Sequence, residues 1–167
     1  MKRTPQDPAA ASGRTLPSDR AKAVAAAESL LRLLRHMKDC FPEDDFETVA
    51  VYLTVATASA GHTLRNPALL VDLAGGPLPD DLQAPTSRRA IAAATGLPRE
   101  TVRRKLIGLV ASGRVVEDEG GVRIPTDTLH RDRNREFADR IISELAVAGR
   151  RIGQFDGLDK PDSAPRT

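Results

Sequence analysis

Four residues, Thr95-Gly96-Leu97-Pro98, constrain the fold more tightly than any other part of the chain. Gly96 is free to take the positive φ that ends a helix, and Pro98 is tolerated where a helix begins. Apolar residues with helical spacing lie on either side. Ile91 and Ala92 mark one face upstream; Val102, Leu106, Leu109 and Val110 mark one face downstream. The pattern predicts a short helix, a sharp turn and a second helix, which Ser112-Gly113 stops. Arg114-Val115-Val116-Glu117 then reads as a strand and Asp118-Glu119-Gly120-Gly121 as a tight turn. Val122-Arg123-Ile124 returns as a second strand before Pro125. Helix, turn, helix, hairpin is the predicted order from Ala84 to Pro125.

That stretch resembles the winged helix-turn-helix superfamily of transcriptional regulators, most closely the pattern shared by the GntR and MarR families. The likeness rests on Ser87-Arg88-Arg89-Ala90-Ile91-Ala92, on Gly96-Leu97-Pro98-Arg99-Glu100-Thr101-Val102-Arg103, and on Leu106 through Gly113. It implies a mainly α fold with a small β-hairpin wing, a winged helix-turn-helix with flanking N- and C-terminal helices. It implies double-stranded DNA as the partner, with Arg99 and Arg103 at DNA-contacting positions. Likeness to MarR-type proteins also leaves room for a small-molecule effector, of unknown identity, between the terminal helices and the winged core.

Charge supports the same stretch. The whole chain carries a net charge of only +2, which says little about nucleic acid; its distribution must decide. From Ala84 to Pro125, eight basic residues face four acidic ones, leaving +4 here and −2 elsewhere. The second helix, from Pro98, buries Val102, Leu106 and Leu109, so Arg99, Glu100, Arg103 and Arg104 project from other faces. Arg99, Glu100, Thr101 and Arg103 occupy its first two turns, the part that enters the major groove in helix-turn-helix proteins. There an Arg can pair bidentately with guanine, and Glu100 can accept from cytosine or orient a neighbouring Arg. Thr86, Ser87, Arg88 and Arg89 begin the preceding helix, whose exposed N–H groups and positive dipole end favour a phosphate. Arg123 on the returning strand reaches towards the minor groove or its phosphates. Glu117, Asp118 and Glu119 make the hairpin turn acidic and resist close approach to DNA.

The rest of the chain reads as support. Residues 1–17 lack an apolar period and are expected to be a disordered leader. Residues 18–82 hold N-terminal helices serving dimerisation and scaffolding. Ser18 is the expected cap of a helix from Asp19 to about Asp39, with Val24, Ala27, Leu30, Leu31, Leu34 and Met37 as its apolar stripe. That stripe packs either on its own domain or on a second copy. Pro42-Glu43-Asp44-Asp45 opens the next helix, where Phe46, Val49, Ala50, Leu53, Ala56 and Ala60 repeat until Gly61, the first helix of a three-helix core. A short helix is expected from Asn66 to Leu73 and a surface loop from Ala74 to Pro85. The motif with its hairpin fills residues 83–125. Residues 126–148 read as one helix starting near Asp127 and ended by Gly149, with Phe137, Ile141 and Leu145 as a ridge. Residues 149–167 are an expected flexible tail.

Other classes fare worse. The lone cysteine, Cys40, cannot form an intrachain disulfide, which fits a reducing compartment. No apolar run approaches the roughly 20 residues of a membrane span, and no signal peptide is visible, so a cytoplasmic protein with no membrane partner is expected. His36, His62 and His130 are scattered without metal-ligand spacing, and no nucleophile elbow or phosphate loop occurs. The expected protein is no enzyme and has no cofactor or metal. It is a sequence-specific DNA-binding transcription regulator acting as a homodimer through its terminal helices. The alternative is a winged-helix protein–protein interaction module without DNA binding.

Overall fold

The structure, a computed structural model, describes residues 16–65, 79 and 82–156. Among them run α1 (Pro17–Cys40), α2 (Phe46–Leu64), α3 (Arg88–Thr95), α4 (Arg99–Ala111), β1 (Val116–Asp118), β2 (Gly121–Arg123), a 3-10 turn (Thr128–His130) and α5 (Asp132–Gly153). The protein is mainly helical with a small two-stranded antiparallel hairpin. Most of the expected leader, the short helix expected over residues 66–73, most of the following loop and the end of the tail lie outside the described residues. No helix among those described is long and apolar enough to cross a membrane. The chain divides into two compact units. One is Arg35–Arg140; the other joins the described residues up to Leu34 to those from Ile141 onward.

In the larger unit α2, α3 and α4 pack on one another, and β2 packs on α2. The centre is apolar: Val49, Val51, Val55, Ile91, Val102, Leu106, Leu109, Val115, Val122 and Ile124 are all essentially sealed from solvent. Each such side chain contributes roughly 1.5–3 kcal/mol by leaving water. Phe41 joins them, edge-on to Tyr52 and Phe137 with ring centroids 6.0 and 5.1 Å away.

Helix ends follow local chemistry. Ser87 caps α3, its Oγ accepting from the Ala90 N–H at 3.1 Å. Gly96 ends α3 at φ 71°, a left-handed conformation that a side chain disfavours, and its N–H donates to Ala92 O at 3.0 Å. Pro98 stands one place earlier than expected. Its ψ of 142° is extended, so it is the cap residue and α4 starts at Arg99. The opening of α2 is also later than expected. Phe41 to Asp44 form a turn, and Asp45 is the cap, accepting from the Thr48 N–H at 2.8 Å. Helix α2 runs on past Gly61 to Leu64.

The hairpin is tighter than its sequence suggested. Val116 pairs with Arg123, Glu117 with Val122 and Asp118 with Gly121, leaving Glu119-Gly120 as a two-residue turn. Arg114 and Val115 are not in the ladder, because their N–H groups donate back to Leu109 O at the end of α4. A fourth rung, unforeseen, joins Thr86 to Val122 through two hydrogen bonds of 2.8 Å. A Cβ on Gly121, at φ 127°, would lie 2.9 Å from Thr86 O, so this rung requires glycine there.

Two expectations about the terminal helices change. Helix α5 begins at Asp132 after the separate 3-10 turn, and it passes through Gly149 to Gly153. An interior glycine costs only about 1 kcal/mol, and Arg150 and Arg151 in the last turn complement the helix dipole. In α1, Ser18 lies within the helix instead of capping it. In the smaller unit the buried positions are Ser18, Ala25, Ser29, Glu144 and Ala148, while Val24, Leu30 and Leu31 of the expected stripe stand exposed. Arg32 Nε donates to Glu144 Oε1 at 2.9 Å and Arg32 Nη2 to Ser29 Oγ at 3.0 Å. That guanidinium holds the Glu144 carboxyl below its ordinary pKa.

Asp45 joins the two themes of capping and charge. It accepts from the Thr48 backbone and hydroxyl, and Lys105 of α4 donates to it. Its pKa therefore falls well below the ordinary carboxylate value, the Lys105 hydrogen bond being the largest cause. A lowered carboxyl stabilises the fold fully above its unfolded pKa, and the contribution fades as pH drops towards the folded value. Asp45→Ala is expected to lower stability by about 1 kcal/mol at neutral pH. Asp45→Asn keeps the cap, loses the ion pair, and flattens the fall in the urea midpoint below about pH 4. An unchanged acid limb in Asp45→Asn contradicts this assignment.

Candidate nucleic-acid interface

Helix α4 is amphipathic over its 13 residues. Val102, Leu106 and Leu109 are buried, and this turns Arg99, Glu100, Arg103 and Arg104 to solvent. Thr101 is half-buried beside them. No described side chain caps the start of α4, so among the described residues its first-turn N–H groups remain open to a ligand. Arg88 and Arg89, in the first turn of α3, are likewise exposed. Arg88, Arg89, Arg99, Glu100 and Arg103 together line a depression of about 350 Å³. The two helix starts that the sequence singled out thus share one surface.

Not every guanidinium there is free. Arg88 makes a forked pair with Glu117 of β1, Nε to Oε1 and Nη2 to Oε2, both at 2.7 Å. Arg103 makes a second with Glu100, Nε to Oε2 at 2.9 Å and Nη2 to Oε1 at 2.6 Å. The carboxylates raise the pKa of both arginines, and Arg103 lowers that of Glu100. The charge of Arg103 acts on Arg88 in the opposite sense, as like charges on one surface do. Arg89 and Arg99 form no ion pair with any described residue. Of the two roles open to Glu100, orienting a neighbouring Arg is the one seen.

Several expected site residues do other work. Thr86 has its backbone N–H and carbonyl bound to Val122, and the Ser87 hydroxyl caps α3. The Thr86 N–H is thus already spent, and at this helix start the open donors belong to Arg88 and Arg89. Arg123 is half-buried on β2, with Nε 3.4 Å from Asp118 Oδ2. The acidic hairpin is therefore partly neutralised from within, by Arg88 and Arg123. Two further basic residues of the stretch are structural. Lys105 pairs with Asp45 and lies 3.5 Å from Glu47, while Arg114 grips Asp44, with Nη2 to Oδ1 at 2.9 Å.

Sequence reading missed Glu117 as the partner of Arg88. Its only signal was an acid in a hairpin that comes after a basic helix start, and register was needed to bring the two together. No protein-family model, curated protein or solved structure matches this chain.

The Arg114–Asp44 pair is mostly buried, with side-chain exposures of 17% and 7%. Breaking such a pair leaves one charge unmatched away from water. Arg114→Ala is expected to lower unfolding free energy by about 1–3 kcal/mol in urea titration. A change within about 0.5 kcal/mol, as for an ordinary surface site, contradicts that structural role.

Proposed function

We propose that this chain is a sequence-specific double-stranded DNA-binding transcriptional regulator, acting as a homodimer, with a winged helix-turn-helix whose recognition helix is α4. The observation that carries the reading is the shared surface of α3 and α4. Four guanidinium groups line one depression there, beside an uncapped helix start. B-DNA's major groove admits one α-helix, and its base edges present a donor–acceptor pattern that Arg reads bidentately. Arg99, Arg103 and Arg104 suit that role, with Glu100 and Thr101 between them. Arg88 and Arg89, with their open N–H groups, suit a flanking phosphate. The two-stranded hairpin takes the place of the wing, and Arg123 is its basic residue.

Dimerisation through the terminal helices finds support in the smaller unit. Its buried positions are small or polar, while Leu30, Leu31, Ile142 and Leu145 are more than half exposed. Large apolar residues left in water on both helices are accounted for by a covering copy. Two copies also supply two half-sites, from which a small module gains affinity and specificity.

A second reading, a protein–protein module, has one observation in its favour. The later half of α4 carries Ile107 and Val110 exposed to solvent. Charge reversal of Arg99 and Arg103 separates the two readings, because a protein partner seated on Ile107 is retained and DNA is not.

Binding to a duplex selected from a random pool is expected to fall by about a thousandfold between roughly 50 and 200 mM salt if six or more phosphates are met. Arg103→Ala is expected to cost about 1–3 kcal/mol on the selected site. Absence of salt-sensitive binding to any duplex contradicts the proposal. For the assembly, light scattering is expected to give a dimer for the native chain and a monomer for Leu30→Glu with Leu145→Glu. A native chain that is monomeric at micromolar concentration contradicts the dimer.

A further inference from the structure

The depression between α3 and α4 holds more positive charge than its ion pairs consume. Arg88, Arg89, Arg99 and Arg103 line it, and only Glu100 and Glu117 answer them, an excess of two charges. Both carboxylates bind in the same forked way, two oxygens to the Nε and Nη2 of one guanidinium. Two oxygens of a phosphate present that same geometry to an arginine. The pairs are also exposed to exchange. Arg88 and Arg103 are each 49% exposed, Glu100 is 73% exposed, and Glu117 is 27% exposed. Neither carboxylate has another described hydrogen-bond partner that fixes it.

We propose that the depression seats one backbone phosphate of the duplex on Arg88, and that Glu117 is a stand-in which this phosphate displaces from that guanidinium. The inference rests on the DNA-binding reading above and names the ligand group that its central depression takes. The exchange is non-covalent. The phosphodiester brings one negative charge to an arginine fork, and the released carboxylate returns to water. One ion pair replaces another, so the stand-in weakens binding to every duplex alike, whatever its sequence. Glu117 does this from β1, which makes the hairpin a brake on the site instead of a second reading element.

The test is fluorescence anisotropy of a labelled duplex with the full chain at low salt. Glu117→Gln is expected to tighten binding about two- to fivefold, the size of an exposed ion pair. Glu119→Gln changes the net charge equally at an exposed turn position that does not touch Arg88, and is expected to gain less. In an Arg88→Ala background the gain from Glu117→Gln is expected to vanish, since the coupling runs through that guanidinium. Glu117→Ala repeats the test should Glu117→Gln fail to fold. Equal gains from Glu117→Gln and Glu119→Gln, or a gain that survives Arg88→Ala, assign the effect to bulk charge and overturn the proposal. So does native-like affinity in Glu117→Gln. If neither the native chain nor any variant binds a duplex, the DNA-binding reading itself falls, and this inference with it.

Discussion

Burial of Val102, Leu106 and Leu109 is the constraint on which the candidate surface depends. Three residues on one face of a single helix, sealed against α2 and α3, fix the rotation of α4 about its axis. Together they are worth roughly 5–9 kcal/mol of transfer free energy. The exposed ion pairs on the outer face are screened by water and contribute far less. Packing therefore decides where the arginines point, and the carboxylates only adjust how they are held. Gly96 and Pro98 set the angle at which α4 leaves α3, and the Ser87 cap sets where α3 begins.

Charge in the larger unit is sorted by depth. Basic residues near the core, Lys105 and Arg114, are matched by the acids at the start of α2. These pairs tie that helix to α4 and to the turn at its end. Arginines on the outer face meet weaker, more exposed partners or none among the described residues. A net count over the stretch merges these two populations. Only three-dimensional placement distinguishes the arginines that hold the fold from those free to meet a ligand.

Most of the local structure was legible because it was dictated locally. Gly96, Pro98 and the apolar spacing of α4 announce two helices and a turn with no help from distant residues. Gly120-Gly121 announces the hairpin. What stayed hidden depends on register between separated segments. The Thr86–Val122 rung and the Arg88–Glu117 pair join positions 36 and 29 residues apart in the chain. In α1, periodicity groups Val24, Leu30 and Leu31 into one apolar stripe, but it does not tell that they stand exposed in the smaller unit. Helix α5 runs beyond its expected end because one interior glycine costs a helix only about 1 kcal/mol and does not by itself stop it. As for the site, the sequence identified the exposed arginines of α3 and α4, and it could not show which are already engaged by carboxylates.

The central claim is that the α3–α4 surface meets the phosphate backbone and base edges of a duplex. Amide chemical-shift mapping of the labelled protein during titration with a selected duplex tests it most directly. The account predicts that the largest shifts fall on Arg88, Arg89 and the run Arg99–Arg104, with smaller ones at Arg123. Shifts concentrated on α1 and α5, or none at duplex concentrations that saturate binding, would contradict it.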